Sequence, residues 1–291
     1  MRICFIVMSC NKHPYPEEET YVKETWAKDI IEGKYENTGF LIYRGGGKET
    51  SYDENTRILR LKTGDSWDYT YIKTVECLKY VRNLGYDWVV KTNTSNYVNV
   101  RLTLDFIKSL PDGDDKMYGP KILCVPKDRL CFLRGNFNIL SPIVIDDIIK
   151  TYKANAKGTD DTCISKRLYS LYGKEYYSKI IQLPEMGIKN LDFGKCDNIL
   201  NFRLKGATVG RGVIIGREKI KKKMYIAHRE IMKRDGFTIP EPKTPNGTLE
   251  RVRKYRASIG DLPRKTNTPT PVKPRKKTIS KTGISLHNFL N

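Results

Sequence analysis

Tyr86-Asp87-Trp88-Val89-Val90-Lys91-Thr92-Asn93-Thr94-Ser95-Asn96-Tyr97-Val98-Asn99 is the stretch on which the reading of this chain turns. Trp88, Val89 and Val90 are large or β-branched, the residue types that suit a buried strand of a parallel sheet. The segment then becomes abruptly polar, with short oxygen-bearing side chains from Thr92 to Asn96. In open α/β sheets ligands sit beyond the carboxyl ends of strands, so an apolar strand that ends in such a cluster marks a candidate site. Taken alone, the same residues also describe a strand followed by a plain polar turn.

Working back towards the N-terminus, Ile72, Val75, Leu78 and Val81 recur at helical spacing, and Asn83 and Gly85 supply a helix stop. A strand fits Arg57–Leu61, and another fits Thr38–Tyr43. Gly45-Gly46-Gly47 lacks the spacing of a phosphate-binding P-loop and reads as a turn. Glu17, Glu18 and Glu19 open a helix that runs to about Ile31, where carboxylates favour the positive end of the dipole. Before it come a loop with Asn11, Lys12 and His13 and a first buried strand from Arg2 to Ser9. The β-α-β-β-α-β order predicts an α/β domain with a mainly parallel central sheet flanked by helices.

Working forward, a helix covers about Leu102 to Leu110, and Pro111–Asp114 is a turn. Short strands fit Met117-Tyr118 and Leu130–Leu133. Ser141 is placed to cap a helix with Pro142 in its first turn. Another helix begins at Thr159, with Asp160 and Asp161 at its N-terminus, where capping alone would account for two carboxylates. Phe202–Gly206 and Gly210–Gly212 read as loops, and Lys219–Arg229 as a basic helix. From Pro240 onward, prolines and cations replace apolar periodicity, and a flexible basic tail is expected except around Ile284–Leu290. The expected division is a domain over residues 1–236 and a basic C-terminal extension over 237–291.

The 291 residues allow one large domain or two small ones, and 39% hydrophobic residues suffice for a core. A formal net charge of +20 favours a polyanionic partner, nucleic acid first and an anionic membrane surface second. A lysine-rich proteome would give the same charge without such a partner. The seven cysteines match no zinc-ligand spacing and are expected as reduced thiols. The apolar run at Met1–Ser9 is too short to span a membrane and lacks a small-residue cleavage site, so an intracellular protein with no membrane partner is expected.

Three blocks together resemble the inverting β-glycosyltransferases of the fringe and β-1,3-galactosyltransferase type, which have the GT-A fold. Tyr21-Val22-Lys23-Glu24-Thr25-Trp26 is similar to that family's helix ending in Thr-Trp. Gly64-Asp65-Ser66-Trp67-Asp68-Tyr69-Thr70-Tyr71-Ile72-Lys73-Thr74 resembles its Asp-Ser-Tyr helix, and leads to Lys91-Thr92-Asn93-Thr94-Ser95-Asn96-Tyr97-Val98-Asn99, where the family has Lys-x-Asp-Asp-Asp-x-Phe-Val-Asn. Gly135 to Ser141, followed by Asp160-Asp161-Thr162, is similar to its Gly-x-x-Tyr-x-x-Ser and Asp-Asp-Val blocks. The match covers roughly residues 1–175.

The resemblance implies a nucleotide-sugar lying over the ends of the first and fourth predicted strands, with Ser9, Lys12, Lys73, Lys91, Asn93, Thr94 and Ser95 around it. Gly135 and Asn136 fall on the acceptor side. Asp161 takes the place of the catalytic base, with Asp160 beside it. The family's metal-binding acidic triplet is replaced by Asn93, Thr94 and Ser95, and neutral oxygens hold Mg²⁺ or Mn²⁺ less firmly than carboxylates do. Three alternatives stay open: a weakly held cation, neutralisation of the diphosphate by Lys or Arg, or an inactive site. His228 is a further candidate metal ligand, though a histidine beside Arg229 also suits a structural or phosphate-facing role.

An intracellular, basic glycosyltransferase of this size is also similar to the T-even phage DNA-modifying glucosyltransferases of the β-glucosyl-HMC-α-glucosyltransferase type. That resemblance implies UDP-glucose as donor and double-stranded DNA carrying α-glucosylated hydroxymethylcytosine as acceptor. It further implies a gentiobiosyl product, protection of phage DNA from restriction, and a place in the cytoplasm of the infected bacterial host. Lys221, Lys222, Lys223, Arg229, Arg275, Lys276 and Lys277 are the expected phosphate contacts. Acceptors on protein or cell-surface glycans, and an inactive GT-A-like DNA-binding module, are the competing readings.

Overall fold

In a computed structural model of the chain, residues 1–125, 130–187, 199–204, 208–209, 213–214 and 220–235 are described. The expected extension over 237–291, with Arg275, Lys276 and Lys277, lies outside them.

The strand β1 (Ile3–Met8) is followed by the helices α1 (Tyr15–Glu24) and α2 (Lys28–Ile31), then by β2 (Thr38–Arg44), β3 (Ser51–Asp53) and β4 (Ile58–Arg60). A 3-10 turn at Trp67–Tyr69 leads into α3 (Thr70–Asn83), β5 (Trp88–Asn93), β6 (Asn96–Val98) and α4 (Val100–Lys108). Next come β7 (Met117–Gly119), β8 (Ile122–Val125), β9 (Leu130–Leu133), β10 (Phe137–Leu140), α5 (Pro142–Lys150) and α6 (Asp160–Tyr172). The strands β11 (Ile180–Gln182), β12 (Glu185–Gly187), β13 (Asn201–Arg203), β14 (Thr208–Val209) and β15 (Val213–Ile214) precede α7 (Ile220–Arg234).

The main sheet has eight strands in the order β11-β7-β10-β5-β1-β2-β4-β3. Its centre, β5-β1-β2-β4, is parallel, while β10 and β3 run antiparallel to their neighbours. The sequence of β1 explains its place. Ile3, Phe5 and Val7 face one cluster with α1, α2, α4 and α7, whereas Cys4 and Ile6 face another with α3, α5 and α6. A strand covered by helices on both faces has no polar side, which is why β1 reads as a continuous apolar run. The helices are anchored as their termini suggest. Asn99 Oδ1 accepts from Leu102 N at 3.2 Å to cap α4, and Ser141 Oγ accepts from Val144 N at 3.5 Å to cap α5.

Several expectations are corrected. The helix expected from Glu17 to about Ile31 breaks at Thr25, because Trp26 turns into the core and donates Nε1 to Asn96 O at 3.1 Å. Arg134 to Ser141, to which the sequence assigned no element before the Ser141 cap, contains a strand, β10, between β7 and β5. Phe202, expected in a loop, lies in β13, which pairs antiparallel with β6 in a second sheet of order β12-β13-β6. Cys124 and Cys131, expected as thiols, form a disulfide, because the β8–β9 register sets them directly opposite each other. No helix among the described residues is long and apolar enough to cross a membrane.

Candidate active site

The parallel strands β1 and β5 end side by side, with Met8 in register with Asn93. Beyond those ends lies a cleft of about 190 Å³. Ser9, Lys73, Asn93, Thr94, Ser95, Gly135, Asn136, Asp160 and Asp161 all line it, although they come from segments spread over more than 150 positions. Sheet topology brings them together: β5 delivers the Asn93–Ser95 turn, β10 follows Gly135 and Asn136, and α6 begins at Asp160.

Much of the polar stretch after Val90 is architecture. Lys91 is fully buried below the cleft, where its ammonium bonds Gly135 O and the Asp160 carboxylate. Thr92 Oγ1 and Asn96 Nδ2 both donate to Asn136 O, at 3.2 and 2.9 Å. Lys91 was expected beside a nucleotide; it does not line the cleft, and its ammonium bonds Gly135 O and Asp160 instead. Asp160 is likewise turned inward. Burial pushes its carboxyl above the ordinary carboxylate value, against the pull of the Lys91 ammonium.

Asp161, one residue further, lines the cleft itself. Its Oδ1 accepts from Thr162 N at 2.8 Å and its Oδ2 from Gly135 N at 3.2 Å, so two backbone donors fix the carboxylate. Gly135 permits this approach. A Cβ there would lie 3.1 Å from Asp161 Cβ and 3.2 Å from Asp160 Oδ1, closer than such contacts ordinarily come.

The opposite wall is organised by Asp65, which the sequence reading did not single out. Its carboxylate accepts from Asn11 N at 2.6 Å, Gly45 N at 2.9 Å and Lys73 Nζ at 2.9 Å. Lys73 Nζ also donates to Ser9 O at 3.0 Å. These bonds tie the loops after β1, β2 and β4 to α3. Lys12 is exposed and is not among the cleft-lining residues.

Arg134, Arg203, Tyr15 and Trp67 also line the cleft and were missed. Arg203 pairs in register with Asn96, and Leu204 N donates to Ser95 O at 3.1 Å, so β13 presents Arg203 beside the Asn93–Ser95 turn. The sequence signal of Arg134 and Arg203 is weak, because each is a single cation in a chain rich in cations.

The Asn93–Ser95 turn does not fit a tightly held divalent cation. Such ions take carboxylate oxygens, and the turn supplies none. The carboxylate next to it, Glu18 on α1, already accepts the Thr94 hydroxyl at 2.5 Å. Among the described residues no group of three or more His, Cys, Asp or Glu is arranged to hold a metal. Ser9 Oγ and Asn93 Oδ1, on residues that line the cleft, are buried and have no hydrogen-bond partner among the described residues.

His228 is not part of this site. It stands on α7 with Nδ1 3.1 Å from the Tyr97 hydroxyl, and burial holds its imidazole below the ordinary value. On the same helix Lys221 and Lys222 are exposed and Lys223 is half-buried, while Arg229 donates to Glu230 at 3.1 Å.

No protein-family model matches the chain, and no curated protein does. Among solved structures, the chain is similar to a glycosyltransferase involved in glycosylation of the major capsid of PBCV-1. The TM-score is 0.42 at 8% identity, covering 77% of this chain and 99% of that one. It is also similar to the galactosyltransferase LgtC in complex with donor and acceptor sugar analogues, with a TM-score of 0.41 at 13% identity over 83% and 98% of the two chains. The glycosyltransferase GlyE of Streptococcus pneumoniae TIGR4 follows with 0.38 at 12% identity, over 83% of this chain and 66% of that one. The likeness is one of architecture, and at this similarity it assigns no chemistry to the chain.

Proposed function

We propose that the chain is an inverting glycosyltransferase that moves glucose from UDP-glucose to modified DNA. The observation that carries this reading is the convergence of Ser9, Asn93, Ser95, Gly135 and Asp161 on one cleft beyond the β1 and β5 ends. The nucleotide-sugar lies over those ends, with Ser9 Oγ and Asn93 Oδ1 taking up its polar groups. Asp161 accepts the proton of the attacking hydroxyl as that oxygen bonds the anomeric carbon. The bond from that carbon to the diphosphate breaks on the opposite face, and UDP leaves with the electron pair. One displacement turns an α-linked donor into a β-linked product.

Developing charge on the leaving diphosphate needs preorganised positive groups. Arg134, Arg203 and Lys73, all in the cleft, take that role in place of a metal ion. UDP should therefore raise the melting temperature of the protein equally in a chelator and in Mn²⁺, since a ligand of the native state stabilises it. Arg203→Ala should weaken UDP binding by about tenfold, the scale of one hydrogen bond to a charged group. A shift seen only with Mn²⁺ would overturn the cation-free account. No shift with UDP under any condition would remove the nucleotide-sugar reading.

The acceptor we favour is α-glucosylated hydroxymethylcytosine in double-stranded DNA, giving a gentiobiosyl group in β-linkage that shields phage DNA from restriction in the infected cell's cytoplasm. Charge supports it. Nearly half of the net +20 belongs to residues 237–291, which carry 12 Lys and Arg against 3 Asp and Glu. Cations of that density bind phosphates without reading sequence.

A further inference from the structure

Trp67 is the most exposed of the large hydrophobic side chains among the described residues, at 66%, and it alone of those lines the cleft. Its indole makes no hydrogen bond and no ring contact with any described residue. An indole left in water beside a polar cleft is an aromatic face without an occupant.

Its placement says which occupant. The turn that carries Trp67 is fastened to the segment leading into α6. Gly158 N donates to Asp68 O at 2.9 Å, Thr70 Oγ1 donates to Gly158 O at 3.2 Å, and Tyr71 N reaches the same carbonyl at 3.4 Å. Thr70 Oγ1 also holds Trp67 O at 3.0 Å. Trp67 is therefore positioned relative to Asp161 by the same loop that starts the helix bearing Asp161. Ser66, Thr159 and Asp161 line the same cleft as Trp67. A flat apolar face flanked by hydroxyls and a carboxylate complements a pyranose ring, which has an apolar C–H face and a rim of hydroxyls.

We propose that Trp67 is the stacking platform for the pyranose ring of the acceptor, holding it so that one hydroxyl meets Asp161. This rests on the reading of Asp161 as the base. It makes Trp67 a determinant of acceptor choice.

The test uses the full chain with UDP and methyl α-D-glucopyranoside as the probe. Of the three tryptophans, Trp26 and Trp88 are buried, so long-wavelength emission belongs to Trp67. In the UDP-saturated protein the glucoside should quench and blue-shift that emission, and Trp67→Ala should abolish the response. In transfer from UDP-glucose to the glucoside, Trp67→Ala should raise the acceptor KM about tenfold, as loss of a stacked ring does. Its kcat and UDP affinity should stay within about twofold, and Trp67→Phe should recover most of the loss. UDP binding without any response to the glucoside would overturn the platform and leave the transferase reading standing. Loss of UDP affinity in Trp67→Ala, with the acceptor KM unchanged, would move the indole to the nucleobase and overturn it equally. Failure of the wild-type protein to bind UDP would sink the transferase reading itself.

Discussion

Asp161→Asn should reduce transfer by roughly 10²- to 10⁴-fold, the range that a positioned general base contributes. The substitution keeps the shape of the side chain, and its carbonyl can still accept from Thr162 N. The amide cannot take a proton from the attacking hydroxyl. UDP affinity and melting temperature should therefore stay close to wild type while kcat falls, the pattern of an interaction made only in the transition state. Steady-state rates together with UDP titration check it. A variant that transfers sugar at near wild-type rate would show that the base lies elsewhere. Asp160→Asn should behave differently, because Asp160 meets Lys91 below the cleft. Its main readout is stability.

The second large effect is at that pair. Lys91→Met should cost about 3–5 kcal/mol, because it leaves Asp160 buried without its counter-charge. At about 2–4 °C per kcal/mol for a domain of this size, the melting temperature should fall by about 10 °C. The loss should depend on pH in a fixed direction. Without Lys91, burial raises the Asp160 pKa further above its unfolded value. The penalty then develops as pH rises through the ordinary carboxylate value of about 3.9 and shrinks again in acid, where Asp160 is neutral in both states. Adding Asp160→Leu to Lys91→Met should restore part of the stability at neutral pH, since removing both charges is cheaper than removing one. Denaturant melts of the three proteins at pH 4 and pH 7 decide it. Equal losses at both pH values would mean that Lys91 acts by packing alone.

What could be read from the sequence was what burial writes into it. β1 is covered on both faces, so its apolar run is unbroken, and β5 begins with the apolar run Trp88–Val90 before Lys91 and Thr92; the α/β architecture followed from the alternation of such strands with helices. β10 escaped because Asn138 interrupts it and donates Nδ2 to Arg134 O at 3.3 Å, a bond that only the fold supplies. Glu18 and Glu19 were read as helix-opening charges. Both are buried, Glu18 holding the Thr94 hydroxyl and Glu19 forming a two-pronged pair with Arg44. Periodicity cannot announce such pairs, because partners far apart in sequence create them. The same limit hid Asp65, whose bonds reach the loops after β1 and β2 and Lys73 on α3. Within the candidate site, the positions named by the resemblance at Asn93, Gly135 and Asp161 do meet. The resemblance could not say that Lys91 and Asp160 would pair beneath the cleft, or that Trp67 would stand open beside it.

The most direct test of the central claim is to incubate the protein with UDP-glucose and phage DNA bearing α-glucosylated hydroxymethylcytosine, in a chelator, and to analyse the nucleosides by mass spectrometry. The account predicts a second hexose on the modified cytosine, in β-linkage, without added metal. UDP release onto another acceptor, with the DNA unchanged, would contradict the DNA assignment. Tight DNA binding with no UDP release on any acceptor would contradict the enzyme itself and leave a DNA-binding module in its place.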